Sequence, residues 1–292
     1  MNAIYDVPAP AKLNLFLHVV GKRADGYHLL QSVFALIDWA DSLHFEKRGD
    51  GLIQRHDQRD AELPADDLCV RAARALQEAS GCKFGADIHL DKRLPSGAGM
   101  GGGSSDAAST LIALNRLWDL KLRRSELLEL GLKLGADVPF FIGGDNAWVE
   151  GIGEVLRPVV LPPMQFAVLK PRASIGTKEI FSSPLLATSQ SLAIVAGFPA
   201  HTDLGANFGR NDLQNAAESA SAEVAQALGM LKKTFGNSRM TGSGSAVFAK
   251  VNGESGILSQ AMATMLRDAP AGWLGEICRS LGQHPLKGWT ED

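Results

Sequence analysis

The most informative stretch of the sequence is Pro95-Ser-Gly-Ala-Gly-Met-Gly-Gly-Gly-Ser-Ser-Asp106. An apolar pattern typical of a strand precedes it over 86–91, and a helical pattern follows it over 104–118. Between Gly97 and Gly103 only Ala98 and Met100 carry side chains, so the backbone can approach a ligand closely and adopt positive φ angles. A strand, a glycine loop and a helix in this order direct free N–H groups and the positive end of a helix dipole at one point. We therefore expect an anion there, with a nucleotide phosphate as the best fit.

Three alternative roles for the glycine loop fit the sequence less well. Ser104, Ser105 and Asp106 are residue types that cap helices, which places the helix start directly after the glycines. The loop matches the GxGxxG pattern of dinucleotide-binding folds, but a helical pattern fills the window where that fold needs a second strand ending in an acidic residue. A Walker A loop needs Lys and then Ser or Thr after its last glycine, and this loop continues with glycine. A flexible linker is the third alternative, although linkers seldom end in a capped amphipathic helix.

Length and composition indicate a folded protein with room for two domains. The chain has 292 residues, 45% of them hydrophobic and 21% charged, values typical of globular proteins. Twenty-nine Lys plus Arg against 32 Asp plus Glu give a formal charge of -3, which argues against a nucleic-acid partner. No apolar run is long enough for a membrane span and no signal-peptide pattern is present, so we expect a cytoplasmic protein. Three cysteines without CxxC spacing predict reduced thiols.

Hydrophobic periodicity predicts an α+β fold in two domains, 1–161 and 162–292, divided at Pro162-Pro163. In the first domain the expected strands cover 13–20, 29–37, 42–47, 52–56, 86–91, 147–150 and 154–160. The helices expected there cover 66–80, 104–118 and 125–134. In the second domain we expect strands over 166–169, 239–241 and 246–251, and helices over 190–196, 212–235 and 257–266. The polar tail from residue 281 onward is expected to pack loosely.

Three motifs occur in the order that is typical of the GHMP kinases. They are Pro8-Ala-Pro-Ala-Lys-Leu-Asn-Leu15, the glycine loop with its two following alanines, and Thr241-Gly-Ser-Gly-Ser245. On these residues the chain resembles the GHMP kinases. Three more segments resemble the members that phosphorylate a cytidine-diphosphate sugar alcohol: Arg23-Ala-Asp-Gly-Tyr-His28, Leu134-Gly-Ala-Asp-Val-Pro139 and Asn211-Asp-Leu213.

The resemblance implies a fold, an activity and partners. The implied two-domain GHMP-kinase fold joins an N-terminal domain like the second domain of ribosomal protein S5 to a ferredoxin-like α/β C-terminal domain. The implied activity uses ATP and Mg²⁺ to phosphorylate the 2-hydroxyl of the sugar alcohol in the non-mevalonate route to isoprenoids. A small-molecule substrate, no nucleic acid, no membrane, and a monomer or weak homodimer are expected. Two positions depart from the family pattern: Met100 replaces a common Leu at similar volume, and Asp67 stands where an Asn near the adenine is expected.

The resemblance also assigns the site residues. Asp137, just past the helix-ending Gly135, is the expected base for the substrate alcohol, and Lys12 is expected to orient it and to stabilise negative charge. From the residues alone, a capping aspartate and a lysine at a strand end are the ordinary alternatives. The hydroxyls of Ser104 and Ser105 are expected to contact phosphate or Mg²⁺, whose other ligands are unknown. The expected ATP-phosphate contacts are Pro95, Ser96, Gly97, Ala98, Gly99, Met100, Gly101, Gly102, Gly103, Ser104 and Ser105.

The expected substrate contacts lie in both domains. By resemblance, Tyr27 and Phe181 sandwich the cytosine, His28 hydrogen-bonds its polar edge, Thr177 lies nearby, and Asn14 contacts the alcohol hydroxyls. Phe181 as an ordinary core residue is the alternative.

The late motif 241–245 is expected to lie beside the glycine loop, with a simple hairpin turn as the alternative.

Two competing functions are homoserine or mevalonate kinase activity and a non-catalytic nucleotide- or RNA-binding module. Tyr27 and His28 argue against the first, and Lys12 with Asp137 against the second.

Overall fold

A long antiparallel hairpin, β1 (Ala3–Lys22) and β2 (His28–Arg48), begins the chain. In this computed structural model, residues 1–57, 63–186 and 210–292 are described. The helix predicted over 190–196 lies outside them. No helix in these three segments has the length and apolar character needed to cross a membrane.

The hairpin forms the centre of a six-stranded sheet. Its other strands are β3 (Ile53–Asp57), β4 (Gly85–Asp91), β5 (Ala147–Glu150) and β6 (Val155–Pro158). The order is β3-β4-β2-β5-β6, with β1 paired to β2. The two strands predicted over 29–37 and 42–47 are one continuous strand, because β2 pairs with β1 along most of its length, with β5 toward one end and β4 toward the other.

Helices α1 (Leu68–Ser80), α2 (Gly102–Leu117), α3 (Arg124–Leu134) and α4 (Val138–Gly143) pack on this sheet. The first three are predicted, and the six-residue α4 is too short for a periodic pattern to show. The predicted start of α2 is wrong by two residues. Its N-cap is Gly101 in the left-handed region, so Ser104, Ser105 and Asp106 lie in the first turns of the helix instead of capping it.

The second half forms a four-stranded sheet in the order β10-β7-β9-β8. Its strands are β7 (Gln165–Lys170), β8 (Arg239–Met240), β9 (Val247–Val251) and β10 (Leu274–Arg279), and its helices are α5 (Thr177–Phe181), α6 (Gln214–Ala220), α7 (Ala222–Phe235) and α8 (Ser255–Asp268). The single helix predicted over 212–235 is two helices, because Ser221 has extended backbone angles. The sequence pattern did not predict β10. The predicted boundary at 161/162 falls between the last strand of one sheet and the first of the other, and it stays a prediction.

Strand β1 joins the two halves through its irregular register. The register with β2 shifts between Asn14 and Leu17, and the neighbours Leu15 and Phe16 are both buried in the core that also contains Phe166 and Phe248 of the second half. Leu17 then belongs to the core of the second half. A regular strand over 13–20 would alternate its side chains between two faces, and this alternation fails at the bulge, since a bulge places consecutive side chains on the same side. Across the bulge, β1 thus changes from one hydrophobic core to another.

The C-terminal tail packs tightly, and the prediction of loose packing is wrong. Leu286 is 2% exposed and belongs to the core of the first half. His284 donates its backbone N–H to the Gly144 carbonyl at 2.7 Å. Arg124 donates to the carbonyls of Lys287 and Thr290 at 2.9 and 3.2 Å. The tail needs few apolar residues to pack tightly, because its backbone groups form hydrogen bonds with Arg124 of α3 and with the residue that caps the end of α4.

The buried imidazole of His284 predicts a loss of stability in mild acid. Burial lowers the pKa of His284 to about 4, below the 6.5 of an exposed histidine. As the pH falls through 6.5 the unfolded chain takes up the proton first, so stability is lost between pH 6.5 and 4. We expect His284→Asn, which keeps an acceptor for the Leu286 N–H, to reduce the drop between pH 7.5 and 5 by about 2 kcal/mol in urea unfolding. Equal pH dependence in the two proteins would contradict this.

Candidate active site

The glycine loop exposes its backbone because its side chains are buried beneath it. Gly97, Gly99 and Gly101 have φ angles of 61°, 72° and 73°, and between them Ala98 and Met100 are buried in the core between the two sheets. All the predicted phosphate contacts except Ser105 line a groove of about 510 Å³, called the phosphate groove below. The groove thus combines close backbone approach with a helix N-terminus, as the sequence predicted.

The late motif lies directly against the glycine loop, which confirms its predicted position. The backbone N–H groups of Ser245 and Ala246 donate to the carbonyls of Gly97 and Ala98 at 3.2 and 3.1 Å. A Cβ atom on Gly99 would lie 2.5 Å from the Thr241 carbonyl oxygen. The two loops therefore touch through their backbones. Position 99 requires glycine because a side chain would clash with the neighbouring carbonyl and because its φ angle is positive.

Ser105 does not have the predicted role. It is fully buried, and its hydroxyl donates to the Pro10 carbonyl at 2.7 Å, so it connects α2 to β1 instead of facing the groove. The helix starts at Gly102, which turns the side chain of Ser105 inward. Ser104 lines the groove as predicted.

A charged cluster that the sequence did not predict lies beneath the glycine loop. Lys92 donates to Asp41 at 2.5 Å and to Asp106 at 2.6 Å, and both carboxylates are buried. Burial alone would lower the pKa of Lys92, but the two carboxylates more than offset this and raise it. Burial raises the pKa of Asp106 against the opposing effect of Lys92. The only signal in the sequence was a lysine between an apolar strand and the loop, which does not identify its partners.

Asp67 lines the groove but its carboxylate is already engaged. One oxygen caps α1 by accepting from the Val70 N–H at 3.1 Å, and the other lies 3.0 Å from an Arg55 nitrogen. The departure from the expected Asn therefore serves the fold of this segment.

Lys12 and Asp137 meet at the end of the groove, although they are far apart in sequence. The Lys12 ammonium is 3.6 Å from a carboxylate oxygen of Asp137, and it lies 4.3 Å from the ring centroid of Phe34. Burial lowers the pKa of Lys12, and Asp137 acts in the opposite direction. The carboxylate of Asp137 is 32% exposed and makes no capping hydrogen bond to α4, so it is accessible to a ligand.

Asn14 holds Lys12 in place. Its side-chain oxygen accepts from the Lys12 ammonium at 2.5 Å, and its side-chain NH₂ donates to the Ser32 hydroxyl at 3.0 Å. The Thr241 hydroxyl also donates to the side-chain oxygen, at 3.5 Å, so one N–H of the amide is left for a ligand. The predicted contact of Asn14 with substrate stays a prediction, and its contact with Lys12 is an addition from the structure.

The predicted base-binding residues line a cavity of about 910 Å³ that includes Tyr27, His28, Thr177 and Phe181. His28, and not Tyr27, stacks on Phe181, with ring centroids 5.2 Å apart and an angle of 24° between the planes. Tyr27 is 61% exposed. Burial, with a smaller effect of Lys22, lowers the pKa of His28, which favours the neutral imidazole.

A third cavity of about 240 Å³ connects the other two. It contains Lys12, Asn14 and Asp137, shares Gly99 and Gly101 with the phosphate groove, and shares Thr177 and Phe181 with the base cavity. The structure therefore places every predicted site residue except Ser105 along one cleft. Lys12 and Asp137 lie between the phosphate groove and the base cavity.

Comparison with known proteins gives consistent matches. Residues 67–145 match the GHMP kinases N terminal domain. The 4-diphosphocytidyl-2-C-methyl-D-erythritol kinase of Methylibium petroleiphilum is 60% identical over 99% of both chains, and that of Acidovorax sp. strain JS42 is 55% identical over 99% of both.

Solved structures agree with these sequence matches. A crystal structure of 4-(cytidine 5'-diphospho)-2C-methyl-D-erythritol kinase superposes with a TM-score of 0.81 at 32% identity, covering 94% of this chain and 99% of the other. Homoserine kinase from Cytophaga hutchinsonii shares the fold, with a TM-score of 0.71 at 17% identity over 97% of this chain and 96% of its own. The predicted α+β GHMP-kinase fold is confirmed. The chain belongs to the 4-diphosphocytidyl-2-C-methyl-D-erythritol kinases, a family within the GHMP kinases.

Proposed function

We propose that this kinase transfers the γ-phosphoryl group of ATP to the 2-hydroxyl of 4-diphosphocytidyl-2-C-methyl-D-erythritol, a step of the non-mevalonate isoprenoid pathway. The observation that carries the proposal is the position of Lys12 and Asp137 in a cavity that joins the phosphate groove to the base cavity. The names of the relatives support the choice of acceptor. We further propose a cytoplasmic monomer or weak homodimer that acts on small molecules, with the net charge of -3 as an argument against nucleic acid.

The phosphate groove fits a triphosphate held by the protein backbone. The positive φ angles of the loop glycines and the N-terminus of α2 offer N–H groups and a partial positive charge, and the Ser104 hydroxyl lines the same groove. The described residues contain no cluster of three or more His, Cys, Asp or Glu suited to a metal. This fits Mg²⁺ that is held mainly by the phosphates, with Ser104 as the proposed protein contact. Mg²⁺ bound in this way supplies charge neutralisation.

Asp137 and Lys12 would divide the chemical work. Phosphoryl transfer depends on positioning and on stabilising charge spread over the transferred group. The accessible carboxylate of Asp137 would accept the proton of the alcohol. The ammonium of Lys12, 3.6 Å away, would hold that carboxylate in place and stabilise the negative charge that develops between donor and acceptor.

The base cavity would select the cytidine end of the acceptor. Phe181 presents a ring face on which His28 now stacks, so a cytosine in the proposed sandwich with Tyr27 would take the place of His28. His28 would then be free to hydrogen-bond the polar edge of the base. Aromatic stacking tolerates such an exchange, because each partner is a flat ring of similar size.

The proposed function is tested by comparing acceptors. Purified protein with ATP and Mg²⁺ is offered the cytidyl alcohol, homoserine and mevalonate, and phosphorylated product is measured by mass spectrometry. We expect turnover with the cytidyl alcohol alone. A higher kcat/KM with homoserine or mevalonate would contradict the proposed substrate, and absence of ATP turnover with all three would contradict the proposed reaction.

Phe181→Leu is expected to raise KM for the cytidyl alcohol about 5- to 150-fold, because stacking on a base contributes about 1–3 kcal/mol. KM for ATP should stay near its wild-type value, since the phosphate groove is separate from Phe181. The control is Phe84→Leu, which removes a surface aromatic that contacts Lys47. Equal KM values for Phe181→Leu and the control would remove Phe181 from the substrate site.

A further inference from the structure

Ser32 lies beside Asn14 at the wall of the 240 Å³ cavity and belongs to none of the sequence motifs. It is buried in β2, and its hydroxyl oxygen lies 2.5 Å from the Phe16 carbonyl oxygen and 3.0 Å from the side-chain nitrogen of Asn14. Phe16 lies in the bulge of β1, where the register with β2 shifts. The bulge thus brings a backbone carbonyl within reach of Ser32.

We propose that Ser32 is a positioning residue, which fixes the orientation of the Asn14 amide and through it the position of the Lys12 ammonium. The inference rests on the proposed function of Lys12. It depends on the number of donors and acceptors that each group provides.

The hydrogen-bond directions in this chain are determined by the groups at its two ends. A carbonyl can only accept, so the single hydroxyl proton of Ser32 goes to Phe16, and the hydroxyl must then accept from Asn14. An ammonium can only donate, so Asn14 must present its oxygen to Lys12. Both ends require the same orientation of the amide.

A different contact holds the backbone of Asn14. Its N–H donates to the Thr241 hydroxyl at 2.9 Å, and the same hydroxyl donates to the Asn14 side-chain oxygen at 3.5 Å, so Thr241 supports the oxygen end of the amide and leaves its NH₂ to Ser32. Lys12 and Thr241 therefore hold the oxygen of the amide, and Ser32 holds its NH₂ group.

Loss of the Ser32 hydroxyl would leave the Asn14 NH₂ without its acceptor in a buried position, which is costly. A rotated amide would place its NH₂ against the ammonium, where two donors face each other. Among the described residues around Lys12, the charged group that faces its ammonium would then be Asp137, at 3.6 Å. The other neighbours, Phe34 and Gly101, carry no charge. The protonated form of Lys12 would be destabilised and its ammonium displaced.

The test compares Ser32→Ala with Ser32→Thr, which keeps a hydroxyl on a β-branched side chain suited to a strand. Ser109→Ala is the matched control, because Ser109 is also fully buried and donates to a β1 carbonyl, that of Pro8, away from the cleft. We expect Ser32→Ala to lower kcat about 10- to 100-fold with KM for ATP nearly unchanged. Ser32→Thr should recover most of this loss, and Ser109→Ala should keep wild-type kcat.

A second readout does not depend on turnover. NMR of lysine labelled with ¹³C at Cε, with Lys12→Met used to assign the signal, gives the pKa of Lys12 in the free protein. Burial already lowers this pKa. We expect Ser32→Ala to lower it by about one further unit, because a hydrogen bond to a charged group is lost. The alkaline limb of kcat/KM, which reports groups of the free enzyme, should move to lower pH by the same amount. Ser32→Cys, with a sulfur that accepts poorly, should shift both values in the same direction if the alanine variant does not fold.

An unchanged pKa of Lys12 in Ser32→Ala or Ser32→Cys would overturn the proposal, even if kcat falls. A loss of kcat in Ser109→Ala equal to that in Ser32→Ala would also overturn it, since a general packing effect would then account for both. Failure of the wild-type protein to phosphorylate the cytidyl alcohol would instead contradict the proposed function, and the NMR result would still decide the role of Ser32.

Discussion

Asp137→Asn is expected to lower kcat about 10²- to 10⁴-fold, the usual contribution of a general base. An amide has nearly the same shape as the carboxylate but cannot accept the proton of the alcohol. The Asp137 side chain makes no capping hydrogen bond to α4 and is 32% exposed, so the fold should be unaffected. Initial rates with ATP and the cytidyl alcohol measure the effect, and a thermal melt checks the fold.

Asp145→Asn provides the matched control for this experiment. Asp145 is 33% exposed and pairs with Lys287 at 2.5 Å, which resembles the exposure and pairing of Asp137 at a place outside the cleft. We expect Asp145→Asn to keep wild-type kcat. If Asp137→Asn retains more than about a tenth of wild-type kcat, far above the range for a lost general base, Asp137 is not the base.

Lys12→Met should lower kcat by at least about 10²-fold, the loss expected when one preorganised group that stabilises developing charge is removed. The protein should be as stable as wild type or more stable, because methionine replaces a buried ammonium whose desolvation is costly. Activity and stability would then change in opposite directions. Steady-state kinetics and urea unfolding at the same pH measure the two quantities.

The double variant Lys12→Met/Asp137→Asn shows whether the two residues act as a unit. Since the ammonium lies 3.6 Å from the carboxylate, we expect the double variant to lose little more kcat than the more impaired single variant. Losses that multiply would indicate independent roles and would contradict the proposed pairing. A marked loss of stability in Lys12→Met would mean that the kinetic effect reports damage to the fold.

Long elements with a clear period could be predicted from the sequence, and short or irregular ones could not. Helices α1, α2 and α3 and both halves of β2 followed from hydrophobic spacing, because burial of one face requires that spacing. The six-residue α4 and the break at Ser221 depend on a few backbone angles that leave no periodic pattern. The tight packing of the tail could not be predicted, because Leu286 is buried by contacts with distant segments.

For the site, the sequence determined by itself which chemical groups are present and where the backbone is free of side chains. Glycines at 97, 99 and 101 predict an open anion-binding loop in any fold that adopts their positive φ angles, because this property is local. Tertiary structure alone decided which polar atoms face one another. It turned Ser105 toward Pro10, joined Lys92 to Asp41 and Asp106, and placed Ser32 beside Asn14. A hydroxyl, an amide or an ammonium can pair with many partners, and the choice among them is made only when strands and helices bring distant residues within about 3 Å.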